Sequence, residues 1–182
     1  MIRKKSNLDI PRTKNWNKYS THKYNPNYPL WFKEEKNNLI KLIPYAKIEH
    51  VGSTSIVGLG GKSLIDIAIL VPPEKIKESK KKLASLEYSE WTIPKSRKYY
   101  SFAKYHAKRK FHIHITSNKL IFQTHFIFFR DYLLKHRNLI EEYSNLKKKA
   151  VKEVNVHAKS YMDIKRPFIK RINQEARKEF LK

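Results

Sequence analysis

The chain has no cysteine, only four glycines and few acidic residues. Without cysteine there is no disulfide framework, no thiolate nucleophile and no cysteine-ligated zinc site. No apolar run approaches the roughly 20 residues that a membrane-spanning helix needs. Residues 1–5 are followed by polar residues instead of the apolar core of a signal peptide. We therefore expect a cytoplasmic protein that has no membrane association.

The shortage of acidic residues leaves the chain strongly basic. Its 182 residues include 40 lysines and arginines against 16 aspartates and glutamates, which gives a formal net charge of +24. A chain with this charge attracts polyanions, so RNA is one expected partner. A lysine-rich solvated surface would have the same composition. The charge carries no information about the oligomeric state.

The length of the chain is sufficient for one α/β-sized core. We divide it into a basic N-terminal arm, residues 1–25, and one domain, residues 26–182. The predicted elements are a helix from Pro29 to near Pro44, strands at residues 47–51 and 64–71, a helix at residues 74–86, and strands at residues 97–105 and 111–116.

The last two strands alternate at period two around a basic link, so we predict an antiparallel hairpin. From Leu120 onward the period is helical, and three C-terminal helices follow. Pro167 lies either in the first turn of the last helix or at a kink in a longer one. Strands early and helices late predict an α+β fold whose sheet is not purely parallel.

A glycine-punctuated loop joins the two early strands. Residues 48–55 read IEHVGSTS, residues 58–62 read GLGGK, and residues 64–67 read LIDI. Glycines such as Gly52 let backbone amides approach a phosphate closely, and Ser53, Thr54 and Lys62 add two hydroxyls and a positive charge. This composition predicts an anion site, although an ordinary tight connection between strands would use similar residues.

Asp66 is the first strand carboxylate after this loop. Two-metal phosphoryl chemistry needs clustered carboxylates, and residues two apart on a strand share a face. The position that would supply the partner of Asp66 is Ala68. Glu49 is a further candidate metal ligand, unless it pairs with Lys62.

Residues 92–130 contain no acidic residue at all. The strand expected to supply another carboxylate instead offers His112 and His114, which share a face and should point toward Asp66 or toward solvent. They could bind phosphate, act as acid and base, or ligate a transition metal. They could equally be two ordinary surface histidines.

Two further groups have both a functional and a structural interpretation. Arg130 can bind a phosphate or form a salt bridge with an acidic neighbour. In the predicted hairpin, basic residues interleave with aromatic ones such as Tyr100 and Phe102, a pattern that suits single-stranded nucleic acid. The same aromatic residues could simply belong to the core.

The loop and Asp66 segments, taken with three later ones, resemble the GrpB family. The later segments are residues 111–114 (FHIH), residues 129–133 (FRDYL), and Tyr161 with Lys165 and Phe168. The ordered matches cover roughly residues 25–169. The resemblance implies a nucleotidyltransferase-like fold, with a mixed or antiparallel sheet packed against helices and a helical C-terminal part.

In that fold a Gly-Ser turn contacts nucleotide phosphates and strand carboxylates hold divalent metal. The resemblance thus implies three groups of residues: Asp66, His112 and His114 as catalytic; Gly52, Ser53, Thr54, Lys62 and Arg130 as nucleotide-binding; Asp66 and Glu49 as ligands of Mg²⁺ or Mn²⁺ held together with the nucleotide. The expected ligand is a nucleotide, another phosphorylated small molecule or an RNA end. The expected activity is metal-dependent nucleotidyl transfer. The missing carboxylates leave a non-catalytic RNA-binding or adaptor protein as the alternative.

Overall fold

The computed structural model describes residues 21–91, 93, 95–157 and 161–182, so most of the expected N-terminal arm lies outside the described residues. The principal elements, in chain order, are α1 (Tyr28–Leu42), β1 (Lys47–Val51), β2 (Leu64–Leu70), α2 (Ile76–Ser85), β3 (Ser89–Trp91), β4 (Tyr100–His106), β5 (Arg109–Thr116), α3 (Lys119–Ile121), a π-helical segment (Phe122–Ile127), α4 (Phe128–Lys135), α5 (Asn138–His157) and α6 (Tyr161–Phe180). Within these ranges, every helix is too short or too polar to span a bilayer.

The five strands form one mixed sheet in the order β1-β2-β5-β4-β3. Strands β2 and β5 are parallel, and the other neighbours are antiparallel. This arrangement confirms the α+β class and the expectation that the sheet is not purely parallel. The sequence analysis did not predict β3, because a three-residue strand is too short to show an alternation of polar and apolar residues.

One face of the sheet is the main hydrophobic core. Ile65, Ile67 and Ile69 of β2 lie beside Ile113 and Ile115 of β5, and all five are almost completely buried. They pack against residues of α1 and α2. Because side chains alternate along a strand, the residues between these isoleucines point to the opposite face.

That opposite face is covered in part by the C-terminal helices. Residues of α4, α5 and α6 form a second cluster with two residues of the glycine-punctuated loop, Ile56 and Leu59. Pro167 is the seventh residue of α6, so it lies inside a long helix and not in a first turn. The three predicted C-terminal helical stretches are confirmed, with the first one divided into α3, the π-helical segment and α4.

The hairpin between β4 and β5 is tighter than predicted. Its turn consists of Ala107 and Lys108, both of which have positive φ angles, and the pairing therefore continues to His106 and Arg109. Phe102 is buried in the core, which supports the structural interpretation of that aromatic residue. Positive φ at both turn residues matches the twist of a two-residue hairpin.

A buried ion pair links α1 to β4. Lys104 Nζ donates to Glu35 Oε1 at 2.5 Å, and both side chains are less than 10% exposed. The hydroxyl of Tyr88 donates to the same carboxylate oxygen at 2.8 Å. The adjacent Glu34 forms an exposed pair with Arg109 instead.

Replacing Glu35 with alanine should destabilise the fold by roughly 3–5 kcal/mol, because it leaves the ammonium group of Lys104 buried without a partner. Replacing the neighbouring Glu34 with alanine should cost less than about 1 kcal/mol, since its ion pair is exposed. Urea denaturation measures both free energies of unfolding. Equal losses in the two variants would contradict the role assigned to Glu35.

Candidate functional site

Asp66, His112 and His114 come together on the face opposite the isoleucines. In the β2–β5 register Asp66 lies beside His112, and Ala68 lies beside His114. His112 Nδ1 is 3.2 Å from Asp66 Oδ1, and His114 Nε2 is 3.6 Å from the same oxygen. Each residue offers one ligand atom, and these three atoms lie within 4.8 Å of one another. The structure therefore places both histidines on the Asp66 side, one of the two orientations that the sequence allowed.

The carboxylate of Asp66 carries the negative charge of this three-residue group, and both imidazole rings lie beside it. Burial opposes the ionised form of Asp66, but the hydrogen bond from His112 and the nearby ring of His114 hold its pKa below the usual range. Burial, together with the neighbouring His112, lowers the pKa of His114 to about 4. His114 is therefore neutral at neutral pH, the form in which an imidazole ligates a metal.

The surroundings of the two rings differ. His112 Nε2 is 2.6 Å from Ser101 Oγ, so both nitrogens of this ring have partners. Nδ1 of His114 is buried and has no hydrogen-bond partner in the described part of the chain. The His114 ring stacks on Phe126 with centroids 5.0 Å apart, and Tyr99 contacts it edge-on at 5.5 Å.

Gly52 allows the loop to pass directly over Asp66. Its φ angle is +70° and its ψ angle is −168°, a region that almost only glycine occupies. A Cβ atom at this position would lie 2.4 Å from Asp66 Oδ2. The first glycine of the loop therefore determines where the Asp66 carboxylate can sit.

The residues after Gly52 form a short 3-10 turn, Ser53–Ser55. Thr54 is buried, donates its hydroxyl hydrogen to the carbonyl oxygen of Leu64, and accepts from His50 Nε2 at 3.0 Å. Its hydroxyl thus stabilises the turn, which does not favour the expected contact with phosphate. Ser53, by contrast, is only partly buried.

The end of the loop is paired with the N-terminal segment. The amide of His22 donates to the carbonyl oxygen of Gly61 at 2.8 Å, and the amide of Gly61 donates back at 3.0 Å. The backbone amide of Gly61 is therefore bonded to His22, so this part of the loop does not direct that amide toward a phosphate. A Cβ atom at Gly61 would lie 2.5 Å from Ser53 Oγ and 3.7 Å from Lys147 Nζ.

Three lysines gather beside this loop, and we call Lys62, Lys147 and Lys165 the lysine cluster. Their ammonium groups lie over the rings of two tyrosines. Lys62 and Lys165 lie 4.4 and 4.6 Å from the ring centroid of Tyr161, and Lys147 lies 4.8 Å from that of Tyr143. Lys147 is almost fully buried and donates to the carbonyl oxygen of Gly60.

Burial is the main influence on the charge of these lysines. It lowers the pKa of Lys147 to about 7, and the charge of Lys165 acts in the same direction. Burial also lowers the pKa values of Lys62 and Lys165 to about 8, whereas the negative charge of Asp66 opposes both shifts. The negative charge of Asp66 therefore acts on two members of the lysine cluster, Lys62 and Lys165.

Arg130 and Glu49 lie outside this arrangement. Arg130 donates to Glu49 Oε2 at 3.0 Å, to the carbonyl oxygen of His50 at 2.8 Å and to Asp131 Oδ1 at 2.7 Å. The guanidinium group therefore ties α4 to β1, which favours its structural interpretation over phosphate binding. Glu49 is paired with Arg130 and not with Lys62, and it is not part of the Asp66 group.

The structure thus brings together four of the predicted site residues, namely Asp66, His112, His114 and Lys62, with Gly52 and Ser53 in the adjoining turn. It adds Lys147 and Lys165, which the sequence analysis did not assign to the site. Lys165 was noted only as part of a matching segment. Lys147 lies in a lysine-rich stretch of α5 in which only its place on the buried helical stripe distinguishes it from its neighbours.

Comparison with known proteins identifies the family. The family model described as GrpB protein matches residues 19–175. The chain belongs to the GrpB family. UPF0157 protein YqkA of Bacillus subtilis (strain 168) is 30% identical to this GrpB chain over 165 residues, which cover 85% of the chain. The matched region is 46% of YqkA, so the chain spans about half the length of that relative.

Solved structures agree with the family assignment. The crystal structure of conserved protein GrpB from Enterococcus faecalis matches this chain with a TM-score of 0.78 and 27% identity, covering 90% of this chain and 100% of that one. A cytoplasmic RNA terminal U-transferase matches with a TM-score of 0.41 and 15% identity, over 71% of this chain and 39% of the other. A similarity of that size carries no information about what the GrpB chain binds.

Gly52→Ala should destabilise this GrpB chain more than Gly58→Ala. Gly58 also has a positive φ, +85°, but an added Cβ there meets nothing within 4 Å. Alanine at Gly58 should cost roughly 1–2 kcal/mol for its backbone conformation alone. Alanine at Gly52 adds a clash with the Asp66 carboxylate. Urea unfolding of both variants tests this difference, and equal destabilisation would show that Gly52 does not constrain Asp66.

The lysine cluster should make the stability of the protein rise with pH. At pH 8–10 these lysines are largely neutral in the folded chain but protonated in the unfolded chain, because their folded pKa values lie near 7 and 8. The unfolded state then binds more protons, so the free energy of unfolding increases between about pH 7 and pH 10.

Thermal melting of the wild type and of two methionine variants at pH 7 and pH 9.5 measures how much the stability of each protein rises with pH. Lys147→Met should reduce the rise, since each pKa unit corresponds to about 1.4 kcal/mol. Lys148→Met, which changes an exposed neighbour, should leave the rise unchanged. The assignment to Lys147 is wrong if both variants retain the full dependence.

Proposed function

We propose that the chain binds the phosphate groups of a nucleotide, or of an RNA end, between the lysine cluster and Asp66. We further propose that it transfers a nucleotidyl group with the help of a divalent metal. The observation that supports this function best is the position of the lysine cluster beside the Gly-Ser turn, where a Cβ on Gly61 would lie 2.5 Å from Ser53 Oγ and 3.7 Å from Lys147 Nζ.

The electrostatics of the lysine cluster favour an anionic ligand. No carboxylate of the described residues lies within 4.0 Å of the ammonium group of Lys147 or Lys165. A buried ammonium group that has no carboxylate in contact loses its hydration and is driven toward the neutral form. A polyphosphate would supply the missing negative charge and would restore the protonated lysines.

The donor set at Asp66 fits one divalent ion better than two. A pair of Mg²⁺ ions needs several oxygen ligands, whereas Asp66, His112 and His114 offer one carboxylate and two imidazoles. Nitrogen ligands favour Mn²⁺ over Mg²⁺. A metal held by these residues would stabilise negative charge on a phosphoryl oxygen.

The proposed transfer forms one bond and breaks one. An acceptor hydroxyl oxygen bonds to the α-phosphorus, the bond from that phosphorus to its bridging oxygen breaks, and the hydroxyl proton passes to solvent. Pyrophosphate is the leaving group when the substrate is a nucleoside triphosphate. The lysine cluster would hold the β- and γ-phosphates and stabilise the charge of the departing pyrophosphate.

One observation favours a non-catalytic function. Ala68 occupies the position two residues after Asp66 on the same face, between Glu49 and His114 in the sheet register. The carboxylate that would complete a two-metal site is therefore missing from β2. A binding or adaptor protein that retains the lysine cluster would not need it.

Calorimetry with pyrophosphate and with each of the four nucleoside triphosphates tests binding. Lys147→Met and Lys165→Met should each weaken binding about 10- to 100-fold, since a hydrogen bond to a charged group contributes roughly 1.5–3 kcal/mol. Lys148→Met should leave it unchanged. Binding at pH 8 should also take up protons, which appears as a heat that varies with the ionisation enthalpy of the buffer.

Transfer is tested with labelled nucleoside triphosphates, Mn²⁺ and cellular RNA. Labelled acceptor that disappears in Asp66→Asn would support an enzyme. Intact binding without any transfer across all four triphosphates would establish the non-catalytic function. Binding that is absent, or that does not depend on the lysine cluster, would overturn the proposal as a whole.

A further inference from the structure

We propose that Asp66, His112 and His114 form a mononuclear site for a first-row transition metal such as Zn²⁺ or Mn²⁺, and that the free protein binds this ion without a nucleotide. This inference rests on the proposed function only in assigning the metal a role in nucleotidyl transfer. Binding of the metal itself is measured without any phosphate ligand.

The two separations from Asp66 Oδ1 are close to those of a coordination shell. Bonds from such a metal to imidazole nitrogen or carboxylate oxygen are about 2.0–2.2 Å long, so two neighbouring ligand atoms lie roughly 3.0–3.5 Å apart at octahedral or tetrahedral angles. The observed separations from Asp66 Oδ1 are 3.2 Å to His112 Nδ1 and 3.6 Å to His114 Nε2. The three ligand atoms all lie within 4.8 Å of one another, so rotation of the side chains toward a common point would bring them around one ion.

The scaffold holds these ligands in place before any metal arrives. All three lie on β2 and β5, the two central parallel strands, whose opposite face is the buried isoleucine core. Phe126 and Tyr99 restrict the ring of His114, and Gly52 restricts the carboxylate of Asp66. A preorganised set of ligands loses little conformational entropy when it binds an ion.

Ser101 acts as a positioning residue for His112. Its hydroxyl lies 2.6 Å from His112 Nε2, and a serine hydroxyl can either donate or accept. Without metal, His112 Nδ1–H can donate to Asp66 while Ser101 donates to Nε2. If Nδ1 ligated a metal, the ring proton would lie on Nε2, and the Ser101 hydroxyl oxygen would accept a hydrogen bond from that N–H. Partners of this kind fix the tautomer and orientation of a ligating histidine.

The donor types decide the class of metal. Imidazole nitrogens suit zinc, manganese and their neighbours, whereas Mg²⁺ prefers oxygen ligands and retains much of its water. Three protein ligands also leave at least one coordination position open, as in catalytic zinc sites. A phosphate oxygen of the ligand in the proposed function could occupy that position.

The test is metal titration of the untagged, nucleotide-free protein. Calorimetry should show one equivalent of Zn²⁺ bound, and Co²⁺ should give a visible absorption band from the bound ion. Mg²⁺ at the same concentration should neither bind nor displace Co²⁺. His112→Asn and Asp66→Asn should abolish the band, while His106→Ala, at an exposed histidine outside the group, should not.

Ser101→Ala should weaken Zn²⁺ binding about 10- to 100-fold, and Ser101→Thr, which keeps the hydroxyl, should restore most of it. X-ray absorption of the zinc-loaded wild type should show two imidazoles, and this measurement does not depend on any variant folding. A zinc shell without imidazole, or unchanged binding in Asp66→Asn, would overturn the proposal. Absence of Zn²⁺ and Co²⁺ binding would do the same and would leave phosphate binding by the lysine cluster unaffected.

Discussion

The alternation of side chains along β2 and β5 is the constraint on which the site depends. Each strand places its isoleucines in the core on one face, and this fixes Asp66, His112 and His114 on the other. A shift of the β2–β5 register by one residue would bury the carboxylate against α1 and α2, at a large desolvation cost. The hydrophobic core therefore also sets the distances between the three polar groups.

Charge is distributed unevenly around this face. The chain as a whole carries a net charge of +24, yet the centre of the face holds a carboxylate shared by two imidazoles, with the lysine cluster at its side. Burial works against the charged forms of both groups, and each interacts favourably with the other. At Asp66 the two imidazoles outweigh burial, whereas at Lys147 and Lys165 burial dominates. The polyphosphate that we propose would add negative charge on the side of this face where burial dominates.

The sequence predicted the parts of the site that depend on local patterns. Period-two alternation put Asp66, His112 and His114 on the face opposite the isoleucines, although it left open whether the histidines point toward Asp66 or toward solvent. The glycine-punctuated loop indicated Gly52, Ser53 and Lys62, whose roles stay predictions. The sequence analysis did not assign Lys147 to the site, because α5 contains several lysines. The place of Lys147 on the buried helical stripe separates it from them, but only its contacts with Tyr143 and Gly60 show that it lies beside the loop. Contacts between distant segments also favour structural roles for Arg130 and Thr54 over phosphate binding. Both residues are engaged by backbone and side-chain partners that no local pattern reveals.

Ala68 lies on the same face of the sheet as Asp66 and His114, and its size is set by the packing around it. It is fully buried beside Val51 and Phe122, in a small cluster that joins the sheet to the π-helical segment. A carboxylate at this position would have to displace that packing and would lie next to His114 and Glu49. The absence of a second aspartate on β2 is therefore part of how the helical layer closes over the sheet. In the metal site that we propose, the imidazoles of β5 would be the remaining ligands beside this single carboxylate, and their nitrogens would favour a transition metal over a pair of magnesium ions.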